Sequence, residues 1–146
     1  MRAHVRPAHR AGARRWALLP AAILVLALSG LAAGCSSTPA YCTDASQLKT
    51  DVQNLGNVDV AKNGLGSLQT ALSKVQADAK AFAADAKSAF PSQTAALDTA
   101  VSGLQTAITS AKGQPAVTAA TAVATSVVQV KNSASNLQNA ISSNCQ

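Results

Sequence analysis

From residue 44 onwards, apolar residues recur at intervals of three and four, and polar residues fill the positions between them. The apolar positions are Ala45, Leu48, Val52, Leu55; Leu65, Leu68, Leu72, Val75, Ala79, Phe82, Ala86, Ala89; Leu97, Val101, Leu104, Ile108, Ala111; and Ala120, Val123, Val127, Val130, Ala134, Leu137, Ile141. Such a repeat is typical of helices that pack nearly parallel to one another. Because each helix is apolar on one side only, the pattern predicts an all-α bundle.

Glycine and proline residues separate the four segments. Gly56-Asn57 can end the first helix, since both residue types tolerate the left-handed conformation found after a helix C-terminus. Pro91 is expected to begin the third helix, because proline inside a helix costs about 3 kcal/mol. Lys112-Gly113-Gln114-Pro115 combines a C-terminal cation, a glycine and a helix-starting proline. The alternative is one long helix through Pro91 that pairs with a second chain as a coiled coil.

The start of the second helix has two candidates. Asp59 can cap it, but Asn63, Gly64 and Gly66 follow, and each lowers helix stability by up to about 1 kcal/mol. Ser67 is the other candidate cap.

The first 34 residues have a different pattern. Their five arginines precede an apolar run at residues 17–29, and small residues follow it. This order is typical of a secretory signal peptide. An uncleaved membrane anchor is the alternative, because residues 17–34 are close to the minimum length of a membrane span, although Pro20 disfavours a settled membrane helix. Arg14-Arg15 resembles a twin-arginine export motif but lacks its usual aromatic residue, which favours Sec export.

The signal region ends in Leu31-Ala32-Ala33-Gly34-Cys35. This run resembles the lipobox of bacterial lipoproteins, and the chain resembles in style the small alanine-rich helical lipoproteins of the bacterial envelope. The resemblance implies a signal peptide at residues 1–34, acyl chains such as palmitate on Cys35, and an anchor on the outer face of the cell membrane. Residues 35–42 would then be a short linker and residues 43–146 the bundle domain. Cleavage without lipidation is the alternative.

Two further cysteines bracket the predicted bundle. In an up-down-up-down bundle the first helix begins and the fourth helix ends at the same end, so Cys42 and Cys145 are expected to form a disulfide in an exported protein. A first helix at 44–54 is about 16 Å long and a fourth at 115–143 about 43 Å. The cysteines then meet only if residues 55–66 run along the bundle. This favours a second helix that starts at Ser67, giving one short helix followed by three long ones.

The positive charge of the chain is concentrated in the signal region. The whole sequence has a net charge of +6, but after Cys35 it keeps seven lysines and six aspartates. Nucleic-acid binding requires clustered cations, whereas these lysines are scattered among aspartates, so no nucleic-acid partner is expected. The aspartates are expected on solvated helix faces, outside the apolar stripes. They are Asp44, Asp51, Asp59, Asp78, Asp85 and Asp98.

Catalytic residue types are scarce after Cys35. Both histidines, His4 and His9, lie in the signal region, and arginine and glutamate are missing from the rest. A Ser-His-Asp relay and the usual zinc sites therefore lack their histidine. Gly64-Leu65-Gly66 lacks the third glycine of a phosphate-binding loop. We expect no catalytic residues, metal or cofactor, although a serine–lysine pair stays open and a hydrolase would have to act without histidine.

Two functional hypotheses follow. The first is a non-enzymatic structural or protein-interaction module of the cell envelope, held at the membrane by its lipid anchor and contacting an envelope protein. The alternative is a carrier for a lipid or another hydrophobic ligand between the helices. A tether of residues 36–41 reaches at most about 20 Å, so the disulfide end should stay near the bilayer. The loops facing away are the candidate interaction sites: Asn63, Gly64, Lys112, Gly113 and Gln114.

Overall fold

A computed structural model describes residues 38–146, which fold into four α-helices and a final 3₁₀ turn. The helices are α1 (Ala40–Gly56), α2 (Val60–Ala86), α3 (Pro91–Ala111) and α4 (Ala116–Ile141), and the turn is Ser142–Asn144. The predicted all-α class is confirmed. Within residues 38–146, none of the helices is both long enough and apolar enough to cross a bilayer.

The helices form an antiparallel up-down-up-down bundle, as predicted. Both α1 and α3 pack against α2 and α4, and α2 also contacts α4 directly. The pairs α1–α2 and α3–α4 pack most extensively. The alternative of one helix running through Pro91 is wrong, because the chain reverses at residues 87–90.

The core consists of the apolar stripes seen in the sequence. Every predicted stripe residue of α1 and α3 is buried, and Phe82 of α2 is the largest fully buried side chain. The α2 stripe ends earlier than predicted, because Ala89 lies beyond the helix and is exposed. Periodicity alone therefore locates most of the hydrophobic core.

The ends of α3 follow the predicted turn chemistry. Pro91 is its first residue, and the hydroxyl of Thr94 donates to the Phe90 carbonyl at 2.8 Å. At the other end Gly113 has φ +82°, a left-handed conformation that glycine adopts without steric cost. Pro115 then directly precedes α4. These local signals were sufficient because each acts within one turn of helix.

Helix α1 is longer than predicted. It begins at Ala40, so Tyr41 and Cys42 belong to the helix rather than to a linker, and it ends at Gly56 as expected. The role of Gly56 is not a left-handed turn. A Cβ atom there would lie only 3.0 Å from Cδ of Lys131, so glycine gives room for the lysine side chain of α4.

The favoured start of α2 at Ser67 is wrong for the first turn of the helix but close for its long segment, because non-helical Gly64 divides α2 into a first turn and a long helix. Helix α2 begins at Val60, and Asp59 caps it by accepting a hydrogen bond from the Lys62 backbone N–H at 3.1 Å. The helix-breaking residues act later, as a kink at Gly64 with φ 73° and ψ 172°. The Ser67 hydroxyl donates to the Gly64 carbonyl at 2.8 Å, which satisfies an acceptor near the kink.

The predicted disulfide joins Cys42 to Cys145 with a Cα–Cα distance of 5.5 Å. Gly56 and Lys131, which contact one another, lie equally far along their helices from this bridge. Helix α1 is about 26 Å long and α4 about 39 Å, so α1 covers only the C-terminal half of α4. Residues 58–61 lie beside the N-terminal half instead.

Candidate functional site: the distal notch

The two ends of the bundle differ in composition. The bridged end contains the disulfide and a cluster of Tyr41, Phe82 and Phe90, whose ring centroids are 5.6 to 6.5 Å apart. Within the described part of the chain, these are all the aromatic residues. The distal end contains the α1–α2 connection and the α3–α4 turn. Aliphatic and small side chains alone must fill the core there.

A concavity of about 370 Å³ opens at the distal end, and we call it the distal notch. It forms where α1 has ended and the chain of residues 57–61 crosses beside α4. One side is lined by Leu55, Val58, Val60 and Leu68, and the other by Ala120, Val123, Ala124, Val127 and Val128. Asp59 and Lys131 are the two charged residues of its lining. The notch therefore follows from the difference in length between α1 and α4.

The outer face of α4 beside the notch is apolar and nearly uncharged. Val128 is 53% exposed and Val117, closer to the helix start, is 72% exposed. Together with Thr121 and Ala124 they form a second stripe with spacings of four and three. Lys131 is the one charged residue of α4. Depletion of charge at an exposed apolar surface is a property of protein–protein interface cores.

The predicted interaction loops reach the distal end but do not form the notch. Asn63 and Gly64 follow its lining segment directly, and residues 112–114 form the turn between α3 and α4. The sequence analysis did not single out the exposed valines of α4, Val117 and Val128. The signal was present in Val127-Val128, because two adjacent residues of a helix cannot both face the same core. The lipidation candidate Cys35 lies outside the described residues.

A second concavity lies between α2 and α3. It measures about 510 Å³ and is open to solvent along the groove between the helices. Ala79, Ala83, Leu97 and Val101 are among its apolar lining residues, while Lys80, Lys87 and Asp98 are its charged ones. It is wider than the notch, but its lining consists largely of small or polar side chains.

A buried carboxylate lies between α1 and α2. Asp51 is only 8% exposed, so the expectation that all aspartates occupy solvated faces is wrong for this residue. Its carboxylate accepts hydrogen bonds from Gln47 Nε2 at 3.3 Å and Asn54 Nδ2 at 3.4 Å. The signal was its position, because Asp51 lies between Leu48 and Leu55 of the apolar stripe.

Asp78 of α2 faces Asp51, and the two carboxyl groups have opposite protonation behaviour. Burial raises the pKa of Asp78 to about 6, and the hydrogen bond to Asp51 and the negative charges of Asp51 and Asp44 act in the same direction. Burial also opposes ionisation of Asp51, but the hydrogen bonds from its neighbours and the charge of Lys74 outweigh it and hold the Asp51 pKa below its usual value. Asp78 therefore takes up a proton more readily than Asp51 does.

The chemical options of the remaining side chains are limited. Ser46 and Lys49 have the Ser-x-x-Lys spacing on α1, but the Ser46 hydroxyl donates to the Cys42 carbonyl at 3.0 Å and both residues lie on an exposed helix face. In residues 38–146, no group of three or more His, Cys, Asp or Glu side chains is arranged to hold a metal ion.

Comparison with known proteins identifies no relative. No family model, curated protein or solved structure matches this chain. The distal notch and the Asp51–Asp78 pair must therefore be understood from the chain's own residues.

Proposed function

We propose that this protein is a non-enzymatic interaction module of the bacterial cell envelope, anchored to the outer face of the cell membrane by lipid on Cys35. In this proposal the distal notch is the docking site for a partner protein. The observation that carries it is the apolar lining of the notch, with the exposed side chain of Val128, at the distal end where α4 extends beyond α1. Apolar surface without charge is costly to leave in water unless a partner covers it.

The chemistry of the notch favours a protein partner with an apolar anchor. Binding energy at protein interfaces concentrates in a few aromatic or aliphatic side chains that fill apolar pockets. A volume of about 370 Å³ lined by valine and alanine suits one or two such side chains. Lys131 and Asp59 would meet groups of opposite charge around that anchor, which fixes orientation more than affinity.

The proposed anchor gives the notch an accessible position. Only residues 36–39 separate Cys35 from the first turn of α1, and a chain of that length spans at most about 14 Å. A lipid on Cys35 would therefore hold the bridged end close to the bilayer. The distal end, at the opposite pole of the bundle, would face partners approaching from outside the membrane.

The proposal is tested with a photo-crosslinking amino acid at position 128 of the full chain in its native host. We expect one envelope protein to be crosslinked at position 128 but not at position 99, an exposed threonine of α3 that lines neither the notch nor the concavity between α2 and α3. The affinity of that purified partner is then measured for two variants. Val128→Asp should weaken binding by at least about thirtyfold, because a central interface residue contributes about 2 kcal/mol or more.

Val117→Asp is the matched control, since it places the same charge on the same helix at a residue that does not line the notch. We expect it to bind like the parent, and both variants to keep their stability within about 0.5 kcal/mol because both sites are exposed. Equal loss of binding in both variants would remove the notch from the proposal. Crosslinking only to a second copy of the chain would replace the partner by self-association.

The groove between α2 and α3 favours one second candidate, a carrier of an anionic lipid. Its apolar lining could take an acyl chain, and Lys80 and Lys87 could bind an acidic head group. Native mass spectrometry of the protein separates the two functions. A stoichiometric co-purifying lipid, beyond the acyl chains on Cys35, favours the carrier, whereas an empty bundle that binds the crosslinked partner favours the module.

A further inference from the structure

At the interface between α1 and α2, one carboxyl oxygen has no hydrogen-bond donor. Gln47 and Asn54 both donate to Asp51, on their own helix. Oδ2 of Asp78 is buried and, with both carboxyl groups ionised, has no hydrogen-bond donor. A buried carboxylate oxygen without a donor, next to a second carboxylate, is strongly unfavourable.

A single proton on Asp78 would supply the missing hydrogen bond and would also remove the repulsion between two carboxylates. If Asp78 is protonated, its O–H can donate to the Asp51 carboxylate, and only one negative charge remains between the helices. We propose that Asp51 and Asp78 share one proton across the α1–α2 interface, and that its release on moving from mildly acidic to neutral pH loosens the last turn of α1. Asp51 is the better acceptor because its two amide neighbours already stabilise its ionised form.

Few charged groups act on the Asp51–Asp78 pair. On α1, Asp44 adds negative charge that disfavours ionisation of Asp78, and on α2 the cation of Lys74 favours ionised Asp51. The one charged residue of α4 is Lys131, which lies against Gly56. Of these groups, only Lys74 opposes the repulsion that arises when the shared proton leaves.

The direction of the pH effect follows from the two pKa shifts. The Asp78 pKa of about 6 lies above its usual 3.8, so its protonation stabilises the fold fully below about pH 4, and this contribution is lost as the pH rises through about 6. The Asp51 pKa is lowered, so its contribution is present above pH 3.8 and lost as the pH falls further. The bundle should be most stable at about pH 4 to 5.

The loosened segment borders the distal notch. Asp51 lies one turn before Leu55 and Gly56, which line the notch, whereas the opposite end of α1 is held by the disulfide. Repulsion between the carboxylates therefore acts nearer the end of α1 that has no covalent restraint. The sharing and release of this proton depend on the chain alone. Only the consequence for docking at the notch rests on the proposed function.

Hydrogen–deuterium exchange on the full-length protein in detergent tests, without any partner, whether release of the shared proton loosens α1. After correction for intrinsic rates, protection of the backbone amides at 52–56 should fall about tenfold between pH 5 and pH 7.5. A pKa shift of about two units would allow a fall of about a hundredfold, but the pair is partly solvated, which weakens the effect. Amides at 101–108 of α3 should not change. Asp78→Asn, whose amide can donate permanently to Asp51, should keep the protected state at both pH values.

Asp85→Asn is the matched control, because Asp85 lies one heptad further along α2 and is exposed. It should retain the parental pH profile. As a measurement that needs no variant, ¹³C NMR of the carboxyl groups should show Asp78 titrating near pH 6 and Asp51 below 3.8. A pH-independent exchange pattern in the parent, the same profile in both variants, or an Asp78 titration near 3.8 would each overturn the proposal.

Discussion

The bridged end and the distal end of this bundle are held together by different kinds of interaction. At the bridged end a disulfide and three aromatic rings surround the start of α1. At the distal end the connection between α1 and α2 leaves part of α4 uncovered. The residues around it are mainly valines and alanines, and the chain kinks at Gly64. Stability is therefore concentrated at one end, and the other end can keep apolar surface open for binding.

This division has a physical basis in the composition of the chain. An alanine-rich seam lets helices approach closely but buries little area for each residue, so each large side chain carries a greater share of the core energy. Placing Phe82 and Phe90 beside the cysteines strengthens an end that is already constrained. The distal valines are too few to fill the volume left by the early end of α1.

Removal of the disulfide should have the largest effect. The double variant Cys42→Ser/Cys145→Ser frees a loop with a sequence separation of 103 residues, and we expect a loss of about 4 to 5 kcal/mol in the free energy of unfolding. That is close to the entire stability of many small domains, so the variant should be partly unfolded at 37 °C. Urea denaturation followed by circular dichroism measures it. A loss below about 1 kcal/mol would show that the bridged end does not depend on its covalent bond.

Truncation of core residues compares the two ends directly. Phe82→Ala removes a fully buried ring of the aromatic cluster and should cost about 3 to 5 kcal/mol. Val123→Ala removes a buried side chain that lines the notch, and it should cost only about 1 to 2 kcal/mol because fewer buried carbon atoms are lost. Both values come from urea unfolding at constant m-value. A loss at Phe82 no larger than the loss at Val123 would show that the aromatic cluster contributes no more than a notch valine.

The sequence predicted the bridged end and the α3–α4 turn better than the notch and the buried carboxyl groups. Periodicity located the stripes, and helix-end chemistry located Pro91 and Gly113, because these signals depend on neighbours within one or two turns. The pairing of Cys42 with Cys145 followed from bundle topology, although α1 begins earlier than predicted and a first turn at Val60 precedes the predicted start of α2.

The distal features depend on relations that a one-dimensional pattern does not contain. The notch exists because Gly56 meets Lys131 halfway along α4, and that register is set by packing across two helices. The packing of α2 against α1 buries Asp51 and one carboxyl oxygen of Asp78, which no single-residue pattern shows. Sequence reasoning treated each aspartate alone and assigned all of them to solvent.

The smallest predicted effect concerns the kink at the distal end. Gly64 has φ 73° and ψ 172°, a combination open essentially to glycine alone, and no atom lies within 4 Å of a Cβ built there. Gly64→Ala should therefore destabilise the fold by about 1 to 3 kcal/mol through backbone strain and not through a clash. Gly66→Ala, two residues further along α2 and also free of contacts, should stabilise it by about 0.5 to 1 kcal/mol, because alanine is the better helix former.

Opposite signs for these two neighbouring glycines would show that contacts at the distal end hold the kink in place. If Gly64→Ala were instead neutral or stabilising, the first turn of α2 would be free to join the rest of the helix as one straight segment. The distal end would then have no fixed shape beside α4. Thermal unfolding of both variants distinguishes these outcomes.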